Sequence, residues 1–151
     1  MRVLIQRVDE ASVVVDEKNV AAIRKGLLVF VGIEENDTEN DAEWLTGKTA
    51  SLRIFDDEKG IMNLSVMDIN GEILVVSQFT LCAMTHKGNR PSYVKAAKPE
   101  KAIPLYEFFC QTLSTKIGKQ VKTGIFGAYM KIALVNNGPV TIWIDSKNSI
   151  S

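Results

Sequence analysis

The sequence predicts an α+β domain in which a curled, mixed or antiparallel β-sheet of barrel-like outline packs against two main helices. Strand-like apolar runs occur near the start, in the middle and at the end of the 151-residue chain, and two intervening stretches change to helical periodicity. Apolar residues make up 46% of the chain and charged residues 24%, which are ordinary values for a globular domain. We therefore expect residues 1–151 to form a single domain.

Three strands are expected near the N-terminus. Residues 2–8 ("RVLIQRV") and 12–16 ("SVVVD") alternate well enough for strands. Residues 25–33 ("KGLLVFVGI") form a continuous apolar run, which is typical of a strand covered on both faces.

The middle of the chain predicts one helix followed by one hairpin. The helix is expected within residues 36–55, where Thr38 and Asp41 have the spacing of a capping box. Its apolar face comprises Ala42, Leu45, Thr49 and Leu52. Residues 62–81 are expected to form a hairpin, because Asn70-Gly71 suits a two-residue type I′ turn.

A second helix is expected after residue 98. Its regular part is predicted to begin at Pro104, since proline is tolerated only near the first turn, and Gly118 is a typical helix stop. One face comprises Ala102, Tyr106, Phe109, Leu113 and Ile117. Two or three strands are expected beyond it, one ending at Val135 and the last alternating over 140–145.

The sequence lacks the features typical of membrane, secreted, disulfide-rich and metal-binding proteins. No apolar run approaches the roughly 18 residues of a membrane helix, and residues 1–10 lack a secretory signal, so we expect a cytoplasmic protein with no membrane partner. Cys82 and Cys110 lie in apolar surroundings without the spacing of a metal site or disulfide framework, and we interpret both as small buried or half-buried hydrophobes. We expect neither a metal nor another cofactor.

The sequence lacks the motifs of several common types of catalytic site. The only histidine is His86, with no acid near it in the sequence, so a nucleophile–histidine–acid arrangement has little to build on. HExxH, GxxxxGK[ST] and GxGxxG are absent. An enzyme with this sequence would have to work with hydroxyls, amides and backbone N–H groups, or with a reactive group of its substrate.

Two short segments are unusual. The apolar run 73–76 leads into Ser77, Gln78, Phe79 and Thr80, which either meet water or line a site. If the strand ladder ends at Gln78, the amides of Phe79 and Thr80 are placed to stabilise an oxyanion. Residues 136–141 ("NNGPVT") are either an ordinary turn or a rigid probe that presents backbone without side chains.

The segment 87–101 ("KGNRPSYVKAAKPEK") is basic in a chain of zero formal net charge. It contains Lys87, Arg90, Lys95, Lys98 and Lys101 against the single acid Glu100. Charge alone leaves two interpretations open, a solvated lysine-rich loop and a local patch for nucleic acid.

Together, "SQFTL" at 77–81 and "NGPVT" at 137–141 resemble the two signature motifs of D-aminoacyl-tRNA deacylases. The resemblance extends to "MRVLIQRV", "GLLVFVGI", "LRIF", "MNLSV", "KGNRPSY" and "TGIFGAYM", and so covers nearly the whole chain. It departs from the family pattern at Met84-Thr85, at Tyr93 and at Asn137, where Asp-Thr, Phe and Asp respectively are frequent.

The resemblance implies a homodimeric proofreading enzyme of translation that hydrolyses the ester of D-aminoacyl-tRNA, with active sites at the subunit interface. It implies that Ser77, Gln78, Phe79 and Thr80 line the aminoacyl pocket. Gly138 and Pro139 would form a Gly-cisPro element that enters the partner's pocket and rejects L-amino acids, with Arg7 helping to hold it.

The resemblance also implies that glycyl-tRNA, including glycine mischarged on tRNA-Ala, is accepted to some degree. Lys87, Arg90 and Lys95 become expected contacts to the acceptor end of the tRNA. For the chemistry we expect substrate-assisted hydrolysis by the terminal 2′-hydroxyl, because Thr80 has no base to activate it. Two alternatives are a non-catalytic RNA-binding module and a general small-ester hydrolase.

Overall fold

The structure is a computed structural model that describes residues 1–148. Residues 149–151, which the single-domain prediction includes, lie outside the described residues. In chain order the elements are β1 (Arg2–Val15), β2 (Lys18–Ile23), β3 (Gly26–Gly32), α1 (Glu39–Ser51), β4 (Phe55–Asp56), β5 (Met62–Leu64), β6 (Glu72–Ser77), a 3₁₀ helix (Phe79–Cys82), α2 (Pro99–Ile117), β7 (Lys122–Thr123) and β8 (Lys131–Asp145). No helix in this part of the chain has the length and apolar content needed to cross a membrane.

The main sheet is mixed and strongly curled. Its strand order is β2-β1-β3-β6-β7, with β8 added on the free side of β1. Strand β1 pairs antiparallel with β2, β3 and β8, whereas β6 pairs parallel with β3 and β7. The two outer strands of this order, β2 and β7, come together, and Lys122 Nζ on β7 donates to the carbonyl oxygen of Ala22 on β2 at 2.9 Å. The predicted α+β class with a barrel-like mixed sheet and two helices is therefore confirmed.

The central strands are buried on both faces. One face of the sheet packs under α1 and α2 and contributes Val3, Ile5, Leu27, Val29, Ile73 and Val75 to the larger core cluster. The opposite face forms a second cluster inside the curl, which includes Val8, Val13, Leu28, Leu74 and Val76. This two-sided burial explains the uninterrupted apolar run of β3, as the sequence predicted.

The first part of the chain differs from the prediction. The segments 2–8 and 12–16 belong to one continuous strand, β1, which is held together by its long pairing with β8. Strand β2 was not predicted. It forms because Asp16 and Glu17 both adopt positive φ angles, 49° and 64°, and so close a two-residue hairpin without the glycine that usually marks one.

The hairpin predicted for residues 62–81 is wrong. Strand β5 pairs with β4, and β6 pairs instead with β3, in parallel, from Gly26 opposite Glu72 to Val31 opposite Ser77. Asn70 does have a positive φ of 53°, but its turn leads the chain into β6 and does not join two paired strands.

Both helices are present, with one corrected start. Helix α1 begins after Thr38 with the predicted reciprocal capping box between Thr38 and Asp41. Helix α2 starts at Pro99, five residues before the predicted Pro104, because Lys98 caps it and its carbonyl accepts from the Ala102 amide. It ends as predicted at Gly118, which adopts a left-handed φ of 72°.

The predicted strands on either side of "NNGPVT" are two halves of β8. Gln6 of β1 opposes Thr141 and Val8 opposes Asn136, so the single residue Arg7 faces the four residues 137–140 of β8. These four residues, here called the Gly-Pro loop, cannot all join the ladder and protrude from it. The Gly138–Pro139 bond within the loop is cis.

Candidate active site

The polar segment after β6 marks the end of a strand ladder. The Gln78 amide donates the last ladder bond, to the Val31 carbonyl at 2.8 Å, and the chain then tightens into the 3₁₀ helix. The first bond of that turn runs from the Leu81 amide to the Gln78 carbonyl at 3.2 Å. The amides of Phe79 and Thr80 precede this bond and so have no acceptor within the turn.

A cavity of about 580 Å³ opens beside this strand end. Ser77, Gln78 and Phe79 form one wall of it. The other walls are mostly apolar and comprise Val31, Ile33, Val76, Tyr93, Ala96, Ala97, Pro99, Ala102, Phe126, Gly127, Ala128, Tyr129, Met130 and Ile132. A mainly apolar cavity with a few polar groups, and with the backbone amides of Phe79 and Thr80 in and beside its wall, has the character of a small-molecule site.

Tyr93 and the segment 126–130 line the cavity but were not predicted to be site residues. Tyr93 packs edge-on against Phe79, with ring centroids 5.0 Å apart and planes at 72°. The segment 126–130 also lines the cavity, and its Tyr129 is 84% exposed. Both come from loops that only tertiary structure brings to β6. The sequence signal for the second was the alternation of glycine and aromatic residues in "TGIFGAYM".

Thr80 lies beside the cavity and not in its lining. Its side chain is exposed, and its Oγ1 accepts a hydrogen bond from Gln78 Nε2 at 2.5 Å. An amide cannot remove a proton from a hydroxyl, so this contact does not make Thr80 a nucleophile.

Neither cysteine offers a thiolate as an alternative. Both thiols are free and buried, as predicted. Burial raises the pKa of Cys82 to about 11 and that of Cys110 to about 12. Thiols with such pKa values stay protonated near neutral pH and are poor nucleophiles.

The basic segment 87–101 contributes Tyr93, Ala96, Ala97 and Pro99 to the cavity wall, but its cations Lys87, Arg90 and Lys95 are not part of the lining. Lys87, Arg90 and Lys95 are exposed. The loop is tied at its start by the Met84–Ser92 bridge and at its end by the Ala97 amide, which donates to the Ile33 carbonyl at 2.8 Å. None of the ion pairs found among residues 1–148 involves any of these three cations.

The Gly-Pro loop is held by Arg7 at a separate place. Arg7 Nε donates to the Asn137 carbonyl at 3.0 Å, while its Nη1 donates to the Ile54 carbonyl at 2.8 Å. A Cβ on Gly138 would lie 2.9 Å from Arg7 Nη2, and Gly138 has a φ of 132°, so glycine is required at this position.

The two motifs do not meet within one copy of the chain. The Gly-Pro loop of β8 lies opposite Arg7 of β1. Arg7 pairs with Leu27 of β3, and Leu27 pairs with Ile73 of β6, which is four residues before Ser77. The Gly-Pro loop and Ser77 are therefore offset by four residues along the strands and by three strand spacings across the sheet, which gives a separation of about 20 Å. Ser77, Gln78 and Phe79 thus share the cavity, whereas Arg7, Gly138 and Pro139 form a second group in which Gly138 and Pro139 are exposed.

No three His, Cys, Asp or Glu side chains within residues 1–148 converge in an arrangement that could hold a metal ion. The polar side chains that line the cavity include the Ser77 hydroxyl, the Gln78 amide and the hydroxyls of Tyr93 and Tyr129.

Comparison with known proteins points to one family. The family model described as D-Tyr-tRNA(Tyr) deacylase matches residues 4–145. Over 148 residues the chain is 64% identical to the D-aminoacyl-tRNA deacylase of Flavobacterium psychrophilum, with 98% of this chain and 99% of that protein covered.

Two solved structures are similar to the whole chain. A c-Myc DNA unwinding element binding protein superposes with a TM-score of 0.91 at 41% identity, covering 96% of this chain and 98% of that one. A probable eukaryotic D-amino acid tRNA deacylase superposes with a TM-score of 0.82 at 18% identity, covering 95% and 97%, which is a likeness of fold.

Proposed function

Because the chain belongs to the D-Tyr-tRNA(Tyr) deacylase family and is a hydrolase of that family, we propose that it cleaves the ester bond of D-aminoacyl-tRNA and releases the D-amino acid and free tRNA. The observation that carries the proposal is the cavity at the end of β6, where Ser77, Gln78 and Phe79 face apolar walls. Its volume of about 580 Å³ is sufficient for an aminoacyl group on a terminal nucleoside.

The proposed mechanism depends on backbone and substrate groups. The amides of Phe79 and Thr80 stabilise the oxyanion that forms when the ester carbonyl is attacked; losing one such donor typically costs about 3 kcal/mol of transition-state stabilisation. The 2′-hydroxyl of the terminal ribose, held next to the ester, assists the hydrolysis, since a positioned intramolecular group can lower a barrier by about 7 to 11 kcal/mol. The lack of a base beside Thr80 and the raised pKa values of both cysteines favour this route.

Selection of the D-enantiomer is assigned to the Gly-Pro loop of a second copy. D- and L-aminoacyl groups differ only in which Cα substituent is hydrogen, so a rigid wall at the L side-chain position is sufficient to discriminate. Gly138 and Pro139 are exposed, and they lie about 20 Å from the cavity of their own chain. A homodimer in which each loop enters the partner's cavity reconciles these facts. Glycine has no side chain to exclude, so glycyl-tRNA is hydrolysed as well, including glycine mischarged on tRNA-Ala.

Three basic residues near the cavity are proposed to bind the tRNA. Lys87, Arg90 and Lys95 contact phosphates of the acceptor end, which is supported by their exposure beside the cavity and the lack of carboxylate partners for them among the observed ion pairs. The chain acts as a single domain, in the cytoplasm, in quality control of translation.

One experiment tests the central proposal. D-tyrosyl-tRNA and L-tyrosyl-tRNA, each at a large molar excess over the protein, are incubated with it, and the released amino acid is measured over time. Multiple turnovers with the D-substrate and little release from the L-substrate are expected. Binding without turnover would indicate the non-catalytic RNA-binding module instead. Equal cleavage of both enantiomers and of free aminoacyl esters would indicate a general esterase.

A further inference from the structure

Because the Gly-Pro loop leaves the strand ladder, side chains must fix its direction. Four residues of β8 face one residue of β1 here, so the ladder holds only the two ends of the loop, at Asn136 and Thr141. The base of the loop is closed by Asn136, whose Oδ1 accepts from the Val140 amide at 2.9 Å and whose Nδ2 donates to Thr141 Oγ1 at 2.9 Å. These contacts do not reach the residue that immediately precedes Gly138.

That residue, Asn137, is held by an acid and a base on the same strand. Its Nδ2 donates to Asp9 Oδ1 at 2.7 Å, and its Oδ1 accepts from Arg7 Nη2 at 3.3 Å. Arg7 and Asp9 are two positions apart on β1 and therefore project from the same face. A side-chain amide carries a donor and an acceptor together, so asparagine can contact the carboxylate and the guanidinium at once.

An aspartate at position 137 would match Arg7 but not Asp9. It has no donor when ionised, and it would bring a second carboxylate to the 2.7 Å contact now made by the amide nitrogen. The pairing of Asn137 with Asp9 is thus chemically specific, although the sequence alone gave Asn137 only as a departure from the family pattern.

We infer that the Asn137–Asp9 hydrogen bond is a positioning contact that orients Gly138–Pro139 and thereby sets how strongly L-aminoacyl esters are rejected. This inference rests on the proposed function, because it concerns the loop assigned to chiral selection. Asn137 acts through Gly138 and does not itself contact the reacting ester.

The test exchanges the donor and the acceptor. In Asn137→Asp, two carboxylates face each other, and the ratio of kcat/KM for L-tyrosyl-tRNA to that for D-tyrosyl-tRNA is expected to rise by about tenfold, since hydrogen bonds to charged groups are among the stronger ones. In the double variant Asp9→Asn with Asn137→Asp, the amide at position 9 donates to the carboxylate at 137. The ratio is expected to return to within about twofold of wild type.

Further variants keep the test decisive. Asp9→Ala removes the acceptor without adding a charge, so it also tests the inference if Asn137→Asp folds poorly, and it is expected to raise the ratio by a smaller factor. Glu10→Gln changes the charge of the neighbouring exposed residue and serves as the matched control, with no change in the ratio expected. Thermal unfolding of each variant separates a general loss of stability from a change in selectivity.

The outcomes distinguish this inference from the proposed function. If wild type does not release D-tyrosine, the proposed function itself fails. If wild type is selective but neither Asn137→Asp nor Asp9→Ala changes the ratio, or the double variant fails to restore it, the inference is overturned. A raised ratio that the exchanged pair restores supports it, because a purely structural defect would not be repaired by a reversed hydrogen bond.

Discussion

Thr80 can supply two different groups to a reaction, a hydroxyl and a backbone amide. The structure gives the hydroxyl no base, since its observed side-chain partner is the Gln78 amide at 2.5 Å. We therefore expect Thr80→Ala to retain activity on D-tyrosyl-tRNA within about tenfold, because the backbone amide remains. Removal of a true covalent nucleophile lowers kcat by a factor on the order of 10⁴ to 10⁶. Steady-state kinetics on matched preparations measure the difference.

The complementary change is made in the substrate. With a tRNA that ends in 2′-deoxyadenosine, the aminoacyl ester on the 3′-oxygen should be hydrolysed very slowly by both wild type and Thr80→Ala, since the assisting hydroxyl is missing. Rapid turnover of this substrate by wild type together with an inactive Thr80→Ala would show that the threonine hydroxyl is the nucleophile.

At the scale of an element, Asp41 ties the N-terminus of α1 to the residues that follow β8. Burial acts to raise the pKa of its carboxyl, but hydrogen bonds from Ser146 Oγ, the Thr38 amide and Lys147 Nζ outweigh burial and lower the pKa to about 2. The folded-state value lies below the unfolded one of about 3.9, so these contacts stabilise the fold above about pH 4, and their contribution is lost as the pH falls toward 2.

Asp41→Asn should therefore lower the free energy of unfolding by about 1 kcal/mol at pH 7, after allowance for solvent screening, and by much less near pH 2. Urea unfolding at both pH values measures this. Glu39→Gln, an acid in the same first turn of α1, is the control. An equal loss at both pH values would show that the carboxylate charge is not responsible.

The parallel pairing of β3 with β6 depends on Gly26. A Cβ there would lie 1.8 Å from the carbonyl oxygen of Glu72, which is backbone and cannot move aside within the ladder. Gly26→Ala is expected to destabilise the protein by more than about 3 kcal/mol or to prevent folding.

Gly47 in α1 is the matched control for this change. Apart from its chain neighbours and the backbone of its own helix, nothing lies within 4 Å of a Cβ built on it, so Gly47→Ala should stabilise the protein by up to about 1 kcal/mol through helix propensity. Thermal unfolding of both variants measures the contrast. A Gly26→Ala protein as stable as wild type would mean that β3 and β6 do not approach each other as closely as this register requires.

Local patterns in the sequence predicted the elements better than their partners. The Thr38–Asp41 capping box, the Gly118 helix end and the two-sided burial of 25–33 depend on neighbouring residues and were correct. The pairing of β6 with β3 joins segments about 46 positions apart, and no local period encodes it. Asn70-Gly71 suggested a hairpin because a turn sequence does not specify which strands it connects.

Local sequence patterns likewise predicted only part of the cavity, because its walls come from distant segments of the chain. The segment 77–80 was identifiable because polar residues interrupt an apolar strand, and the Gly-Pro pair because it combines with that segment in one family pattern. Tyr93 and residues 126–130 belong to loops with no regular period, so no local pattern placed them at the cavity, although the glycine and aromatic residues of "TGIFGAYM" form part of the family pattern. Likewise, the partner of Asn137 was hidden, because Asp9 lies 128 positions away.

At the scale of the whole molecule, several large apolar side chains remain exposed on the surface. Phe79 and Val94 are 57% and 79% exposed near the cavity, and β8 is an edge strand with Val135 and Trp143 exposed on it. Exposed apolar patches and unpaired strand edges are typical of association surfaces.

We expect a molar mass in solution of about twice the 16.7 kDa of the chain, measured by sedimentation equilibrium. Dilution into the monomer range should reduce the preference for D-tyrosyl-tRNA, because each cavity then loses the loop of its partner. A monomer that keeps its full chiral preference at every concentration would contradict selection in trans.

The distance between the Gly-Pro loop and the cavity of the same chain has a genetic consequence. Under the proposed arrangement, a mixed dimer of one subunit with a blocked cavity and one with a defective loop still contains one intact site, formed by the sound cavity of the second and the sound loop of the first. The mixed dimer should therefore hydrolyse D-tyrosyl-tRNA and reject L-tyrosyl-tRNA, whereas the cavity-blocked allele alone hydrolyses neither substrate and the loop-defective allele alone fails to reject L-tyrosyl-tRNA. A mixed dimer of two cavity-damaged alleles should hydrolyse neither.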